Sequence, residues 1–225
     1  MTFVLIPGAG GSAWFWSRLE PELRRRGHDV VAVDLPADDE SVDITGYTDI
    51  AVKAIGDRTD LVVVAHSLAG FSGPLVCDRL PVRMLVLLNA MIPSPGETGG
   101  DWWGNTGQRK ARVASDRAAG RDPDAEFDLV TYFFHDVPQD VIDEAAAHER
   151  AQADAPFAEP WPLTAWPDVP TRVLVGRDDR LFPAAFQRRI AEERLGITPD
   201  EMSGGHLPAL SYPIELADRL EAYIA

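Results

Sequence analysis

Cysteine is almost absent from this chain. Cys77 stands alone among 225 residues, so no intramolecular disulfide can form. Its place in an apolar pattern reads as a small buried hydrophobe rather than a reactive thiol. Basic residues are also scarce. Lys and Arg number 21 against 36 Asp and Glu, for a formal net charge of −15. That balance disfavours nonspecific nucleic-acid binding, which needs cations to neutralise phosphates, and mildly disfavours strongly anionic substrates. No apolar run is long enough to span a bilayer. The N-terminus lacks the basic region and the apolar segment of a signal peptide, so the expectation is a soluble, cytoplasmic protein with no membrane partner. No His, Cys and Glu spacing suggests a metal site, and no internal repeat or low-complexity tract appears.

What is present is ordinary for a globular protein. Apolar residues make up 45% and charged residues 25%, enough in 225 residues for one sizeable core. Strands are expected at Thr2–Ile6, Asp29–Asp34, Leu61–Ala65, Arg83–Asn89, Thr171–Gly176 and within Thr198–Met202. Helices are expected at Trp14–Arg26, Thr45–Asp57, Leu68–Leu80, Ala184–Leu195 and Pro213–Ile224, with Gly27 capping the first and Pro74 placed to kink the third. Continuous apolar strands alternating with helices imply a mostly parallel sheet of about six strands, covered on both faces. Residues 91–166 break the alternation. They open and close with Pro and Gly clusters and hold helical stretches near 105–119 and 139–153. The expected division is a core of 1–90 and 167–225 with a helical cap at 91–166.

The chemistry concentrates in three places. Leu61–Ala65 runs directly into His66-Ser67-Leu68-Ala69-Gly70, the form of a nucleophile elbow, where a sharp strand-to-helix turn lifts a serine hydroxyl from the sheet. The usual pattern is G-x-S-x-G; here both glycines are replaced by alanine, Ala65 and Ala69, which are still small. Thr171–Gly176 is followed by Arg177-Asp178-Asp179-Arg180-Leu181-Phe182-Pro183, which offers two acids. Ser203-Gly204-Gly205-His206 places a histidine before the last helix. Serine, acid and histidine all follow strand ends, so all three face the carboxyl edge of the sheet, where such folds bind ligands. A serine hydroxyl needs a base to take its proton, and a histidine base needs a carboxylate to fix its tautomer. The glycine-rich Gly8-Ala9-Gly10-Gly11-Ser12-Ala13 could cradle a phosphate, with Asp34 near the dinucleotide spacing, but it is not G-x-G-x-x-G. The serine, acid and histidine series speaks against that alternative.

At this point the chain resembles the α/β-hydrolase superfamily. Val4-Leu5-Ile6-Pro7-Gly8-Ala9-Gly10-Gly11-Ser12-Ala13-Trp14 is similar to the oxyanion loop of the plant methylesterase and hydroxynitrile-lyase branch, usually H-G-A-x-x-G-A-W. The resemblance covers nearly the whole chain except the middle third. It implies an α/β-hydrolase fold, with the sheet trimmed at its N-terminal edge, and a catalytic set of Ser67, Asp179 and His206. The superfamily pattern of glycine, two residues, aspartate and a later proline selects Asp179 over Asp178, counting from Gly176 to Pro183. Backbone N–H donors to the oxyanion fall on Leu68, after the nucleophile, and on Ala9, by alignment of the loop. One departure is Pro7, which stands where the branch has a loop-supporting histidine.

The remaining candidates are side chains around this site. Trp14, Trp102, Trp103, Phe133, Phe134 and His135 are the candidate substrate-pocket residues, suggesting an apolar acyl or alkyl group. For His135 a structural hydrogen bond is the alternative. His66 reads as packing support, His28 as a surface residue at a helix end, and His148 as part of a polar cap helix. The reading is a cofactor-free serine hydrolase cleaving carboxylic esters of small, largely uncharged molecules. Its oligomeric state is left open. One rival is a C–C lyase of hydroxynitrile-lyase type; its members carry threonine and lysine where this chain has Gly8 and Leu207. The other is a ligand-sensing binder with little turnover.

Overall fold

The computed structural model describes residues 1–225. Its strands are β1 (Thr2–Ile6), β2 (Asp29–Ala32), β3 (Leu61–His66), β4 (Val82–Leu88), β5 (Thr171–Gly176) and β6 (Asp200–Met202). The α-helices are α1 (Leu19–Arg25), α2 (Ile44–Ile55), α3 (Ser72–Arg79), α4 (Gly99–Thr106), α5 (Gln108–Ala118), α6 (Gln139–Ala145), α7 (Ala155–Ala158), α8 (Ala184–Leu195), α9 (Pro208–Ser211) and α10 (Pro213–Ala222). The strands form one sheet in the order β2-β1-β3-β4-β5-β6, with every pairing parallel. No antiparallel strand accompanies them. No helix is long and apolar enough to cross a membrane.

Alternation along each strand builds two cores. Successive side chains in a strand point to opposite faces. Val4, Ile6, Val63, Ala65, Leu85, Leu87, Val173 and Val175 therefore share one buried cluster with Tyr47 and Ala51 of α2, Leu75 of α3, and Phe186 and Ile190 of α8. Phe3, Leu5, Val62, Val64, Val86, Leu88 and Leu174 share the other with Leu19 and Leu23 of α1, and Leu216 and Leu220 of α10. Both faces are covered, which is why the strands carry unbroken apolar runs. Connections from β1 leave toward β2 on one side, while β3 lies on the other. The gap between β1 and β3 at the carboxyl edge is thus the point where strand order reverses, the place where such sheets bind ligands.

Several elements are shorter or more divided than the sequence suggests. The first helical stretch splits into a single 3-10 turn at Ala13–Trp16 and α1, the turn being capped by Ser12. The third begins as a 3-10 turn at Ser67–Gly70, and α3 starts only at Ser72. Pro74 therefore lies in the first turn of α3, where the N–H groups have no partner within the helix and its missing N–H costs no intrahelical hydrogen bond. α9 was not expected.

Between β4 and β5, the chain makes α4, α5, a π-type turn at Val130–Phe134, α6 and α7. α4 begins at Gly99, earlier than expected, and Gly107, with φ +66, divides it from α5. This segment is anchored in the main core. Trp102 is fully buried against Phe182 and Phe186, and its indole N–H donates to the Ile92 carbonyl at 3.1 Å. Trp161 is buried in the same cluster and donates to the Phe71 carbonyl at 2.9 Å. Replacing Trp102 with alanine should therefore leave a cavity and remove one of the two donors to the Ile92 carbonyl, the other being Arg194, at a cost of about 3–5 kcal/mol. Urea unfolding measures this; a loss under about 1 kcal/mol would contradict the anchoring role.

Candidate active site

The turn after β3 is made possible by missing side-chain atoms. Ser67 adopts φ +52, a left-handed conformation that costs on the order of 1–3 kcal/mol unless its surroundings enforce it. A Cβ on Gly8 would lie 2.7 Å from the Ser67 Cβ, and one on Gly73 would lie 2.6 Å from the Ala65 Cβ. A Cβ on Gly70 would strike the Met91 carbonyl. The alanine at position 65 thus fits because glycine faces it from α3. The Ser67 carbonyl accepts from the Met91 N–H at 2.9 Å, which ties the turn to the chain leaving β4.

Three side chains from three strand ends meet here. The Ser67 hydroxyl lies 3.0 Å from His206 Nε2, and His206 Nδ1 lies 2.8 Å from Asp179 Oδ2. A carboxylate can only accept, so Nδ1 carries the proton and Nε2 is left to accept from the serine. His206 is fully buried and Asp179 nearly so. The edges and faces of Phe133 and Phe182 flank the His206 ring in T-shaped contacts at 5.0 and 5.1 Å. Asp179 Oδ1 accepts from the Leu181 and Phe182 N–H groups at 2.9 and 2.8 Å. Asp178, by contrast, is exposed and makes no bond to His206; its N–H donates to the Gly204 carbonyl.

Two residues that sequence reasoning missed hold this line in place. Asn89, at the end of β4 with φ +44, donates to the Gly205 carbonyl at 3.0 Å and accepts from the Gly176 N–H at 2.7 Å. It ties β4 to β5 and to the histidine loop. Gln187 of α8 donates to the Phe182 carbonyl at 2.6 Å and reaches Asp179 Oδ2 at 3.3 Å. A polar residue closing the apolar run of β4 was a readable signal for Asn89. Gln187 offered none.

His66 supports the same loop. Its Nε2–H donates to the His206 carbonyl at 2.8 Å, and its ring stacks on Phe15 at 4.4 Å. Its Nδ1 has no partner. Burial, and then the nearby His206, hold its pKa well below the ordinary value, so it is neutral at pH 7. His28 is half-buried and paired with Glu221 at 3.0 Å, rather than a free surface residue. Burial pushes the Cys77 thiol up to about 12, so no thiolate forms there at neutral pH.

A cavity of about 460 Å³ opens over Ser67. Its walls include Trp14, Leu129, Phe133, Phe134 and Ile142, and Ala9 stands at its floor. Trp14 stacks on His148 at 5.0 Å across the rim. The Ala9 N–H makes no hydrogen bond within the protein, and Leu68, in the first turn after Ser67, has no intrahelical acceptor. Of the sequence-predicted pocket residues, Trp14, Phe133 and Phe134 line this space. Trp102 and Trp103 do not. Trp102 is the core anchor described above, and Trp103 packs edge-on against it. An apolar residue in a helix looks the same in sequence whether it faces a core or a pocket. His135 also lies elsewhere: its Nε2 donates to the Asp178 carbonyl at 3.1 Å, beside a polar hollow lined by Arg121, Asp136 and Arg180. No group of three His, Cys, Asp or Glu side chains is arranged to hold a metal ion.

The profile of the alpha/beta hydrolase family matches residues 3–219. A probable esterase, PIR7A, from Oryza sativa subsp. indica is 26% identical, with 97% of this chain and 94% of that protein aligned. Methylesterase 3 from Arabidopsis thaliana is 34% identical over 105 residues, 40% of this chain and 39% of its own. Among solved structures, polyneuridine aldehyde esterase superposes with a TM-score of 0.80 at 20% identity, covering 100% of this chain and 99% of that one. At that identity the likeness is one of fold.

The depressed pKa of His66 has a consequence for stability. Below about pH 6.5 the unfolded chain binds a proton that buried His66 refuses. Stability present above that pH is lost as pH falls, at up to about 1.4 kcal/mol per unit. His135, also lowered by burial, adds in the same direction. His66→Gln, whose amide can still donate to the His206 carbonyl, should show a shallower loss between pH 7 and 5. Parallel urea-unfolding slopes in the two proteins would contradict this.

Proposed function

The chain belongs to the alpha/beta hydrolase family, and on that premise we propose that it is a serine hydrolase cleaving carboxylic esters of small, largely uncharged molecules. Relatives named as esterases support ester hydrolysis in general. The observation that carries the finer reading is the buried line from the Ser67 hydroxyl through His206 to Asp179, opening into an apolar cavity. Residues 91–166 are read as the cap whose Phe133, Phe134 and Ile142 roof that cavity.

The proposed reaction runs in two halves. Ser67 Oγ attacks the ester carbonyl carbon while its proton passes to His206 Nε2. The carbonyl oxygen, now negative, accepts from the Ala9 and Leu68 N–H groups, which form no competing bonds and need no rearrangement. Asp179 stabilises the imidazolium through Nδ1–H. Collapse expels the alcohol, which leaves with the proton from His206. Water, deprotonated by His206, then attacks the acyl-Ser67 and releases the acid. An uncharged substrate suits a cavity with mostly apolar walls. The one arginine on its wall, Arg150, is already paired with Asp34 at 3.0 Å. The lyase alternative needs a cation beside His206, and Leu207 occupies that place. A sensing role without turnover leaves the unoccupied Ala9 donor without purpose.

The test is a series of p-nitrophenyl esters of increasing acyl length. Ser67→Ala should lower turnover by about three orders of magnitude or more while leaving the fold intact, and an organophosphonate should label Ser67 alone. Near wild-type turnover in Ser67→Ala would sink the reading. Asp179→Asn should cost far more activity than Asp178→Asn, because asparagine can hold His206 in the wrong tautomer. Equal losses in rate assays would mean that Asp179 does not orient the base.

A further inference from the structure

The loop that carries Ala9 has little support of its own. Pro7 offers no side-chain hydrogen bond, and Gly10 and Gly11 adopt φ of +83 and +58. Such a loop is held only by what binds its backbone. Leu35 N–H donates to the Gly11 carbonyl at 2.8 Å, and Ala13 N–H donates to Asp34 at 2.9 Å. Both bonds act beyond Gly10. The residue next to Ala9 is held from far along the chain: Gly10 N–H donates to Gln152 Oε1 at 2.9 Å, across a separation of 142 residues.

We propose that Gln152 is a positioning residue that aims the Ala9 N–H at the developing oxyanion, an inference that rests on the serine-hydrolase reading. A peptide unit is planar, so one hydrogen bond orients all of it. The Gly8–Ala9 plane, which contains the Ala9 N–H, is held through the Gly8 carbonyl, which accepts from the Gly11 N–H at 3.1 Å. The Ala9–Gly10 plane is held through the Gly10 N–H by Gln152. Between them the two bonds fix both planes that flank Ala9. Without Gln152 only one remains, in a loop whose glycines resist little rotation.

Gln152 can do this because it is itself fastened. Its Nε2 donates to the Ala153 carbonyl at 3.0 Å and to the Tyr47 hydroxyl at 3.2 Å. The segment around it is tied to the core on both sides. Ala153 N–H donates to the Ala37 carbonyl at 2.7 Å, Arg150 donates to the Leu35 carbonyl at 2.8 Å, and Asp154 N–H donates to Glu40 at 3.1 Å. The side chain also reaches the cavity wall. The same segment that closes the cavity therefore sets the geometry of the loop beneath it. This supplies the loop support that Pro7 cannot.

The experiment compares wild type, Ser67→Ala, Gln152→Leu, Gln152→Met and Gln152→Glu with p-nitrophenyl butyrate, recording kcat, KM and Tm. A misaimed oxyanion donor is felt in the transition state more than in substrate binding. Leu and Met remove the acceptor oxygen and should lower kcat about 10- to 100-fold, with KM changed by less than about 3-fold. Glutamate keeps an acceptor for the Gly10 N–H but cannot donate to the Ala153 carbonyl, so it should recover part of the lost kcat. Phenylboronate, which forms a tetrahedral adduct with a serine nucleophile, should inhibit the Leu and Met variants more weakly than wild type. The inference fails if Gln152→Leu or Gln152→Met turns over like wild type while Ser67→Ala is inactive. It also fails if Glu loses as much as Leu and Met, or if neither apolar variant folds, since the side chain then serves packing. If wild type cleaves no ester in the series, the serine-hydrolase reading falls first and takes this inference with it.

Discussion

A steric constraint at Ser67 governs the rest of the site. The left-handed turn there points the hydroxyl out of the sheet, and it survives only where neighbours leave no alternative and cause no clash. Gly8 approaches from the loop after β1, Gly73 from α3 and Gly70 from within the turn, each at a distance that excludes a Cβ. A parallel sheet brings these pieces together without special devices. Strand β3 lies beside β1 in register, so its end and the loop after β1 must arrive side by side. The fold fixes the meeting point, and the small residues let the backbones close on it.

The polar network behind the serine line follows a different logic. Asn89, Asp179, Gln187 and His206 are all buried, and burying such groups is costly unless each finds a partner. Here each does. Asn89 joins the ends of β4 and β5 to the histidine loop, while the Leu181 and Phe182 N–H groups satisfy the far side of Asp179. Nothing in the network spends the Asp179 oxygen that faces His206 Nδ1 on another strong bond; the Gln187 contact to it is long, at 3.3 Å. The histidine is therefore held at its own backbone carbonyl, which accepts from His66 and Asn89, and at its ring by a carboxylate. Its Nε2 remains free to face Ser67.

Much of this was legible in the sequence, for physical reasons. Unbroken apolar runs separated by helical patterns specify a parallel sheet covered on both faces, and all six strands fell close to their expected positions. Ser67 stood out because a strained turn demands small neighbours, while the choice of Asp179 over Asp178 and the place of His206 came from the superfamily pattern; the structure brings the three side chains within hydrogen-bond reach. Helix boundaries were less legible. The split of the segment after β3 into a 3-10 turn and α3 depends on packing around Ser67, which leaves no mark in periodicity. Trp102 and Trp103 were placed at the pocket because they are aromatics in the segment expected to cap the site. Burial against Phe182 and Phe186 decides otherwise, and those residues lie some 80 positions away in the chain. Asn89 carried a faint signal; Gln152 and Gln187 carried none, since a glutamine that binds a distant backbone looks like any surface glutamine.

The segment between β4 and β5 consequently has three jobs that composition alone would merge into one. Trp102 and Trp161 belong to the sheet's core and hold the segment down. Phe133, Phe134 and Ile142 face the cavity and set its shape. Residues 150–155 bind the loop after β1 and the chain after β2 through backbone and carboxylate hydrogen bonds. Separating these roles matters for how the segment can vary. Residues on the cavity wall can change size without loosening the fold, because the anchoring indoles lie elsewhere. Residues in the clasp have less freedom, because Gln152 holds the Gly10 N–H, which would otherwise lose its partner, and Arg150 and Ala153 bind the Leu35 and Ala37 carbonyls of the chain after β2. The shape of the cavity can therefore change at Phe133, Phe134 and Ile142 while the geometry beneath it stays fixed by its own set of bonds.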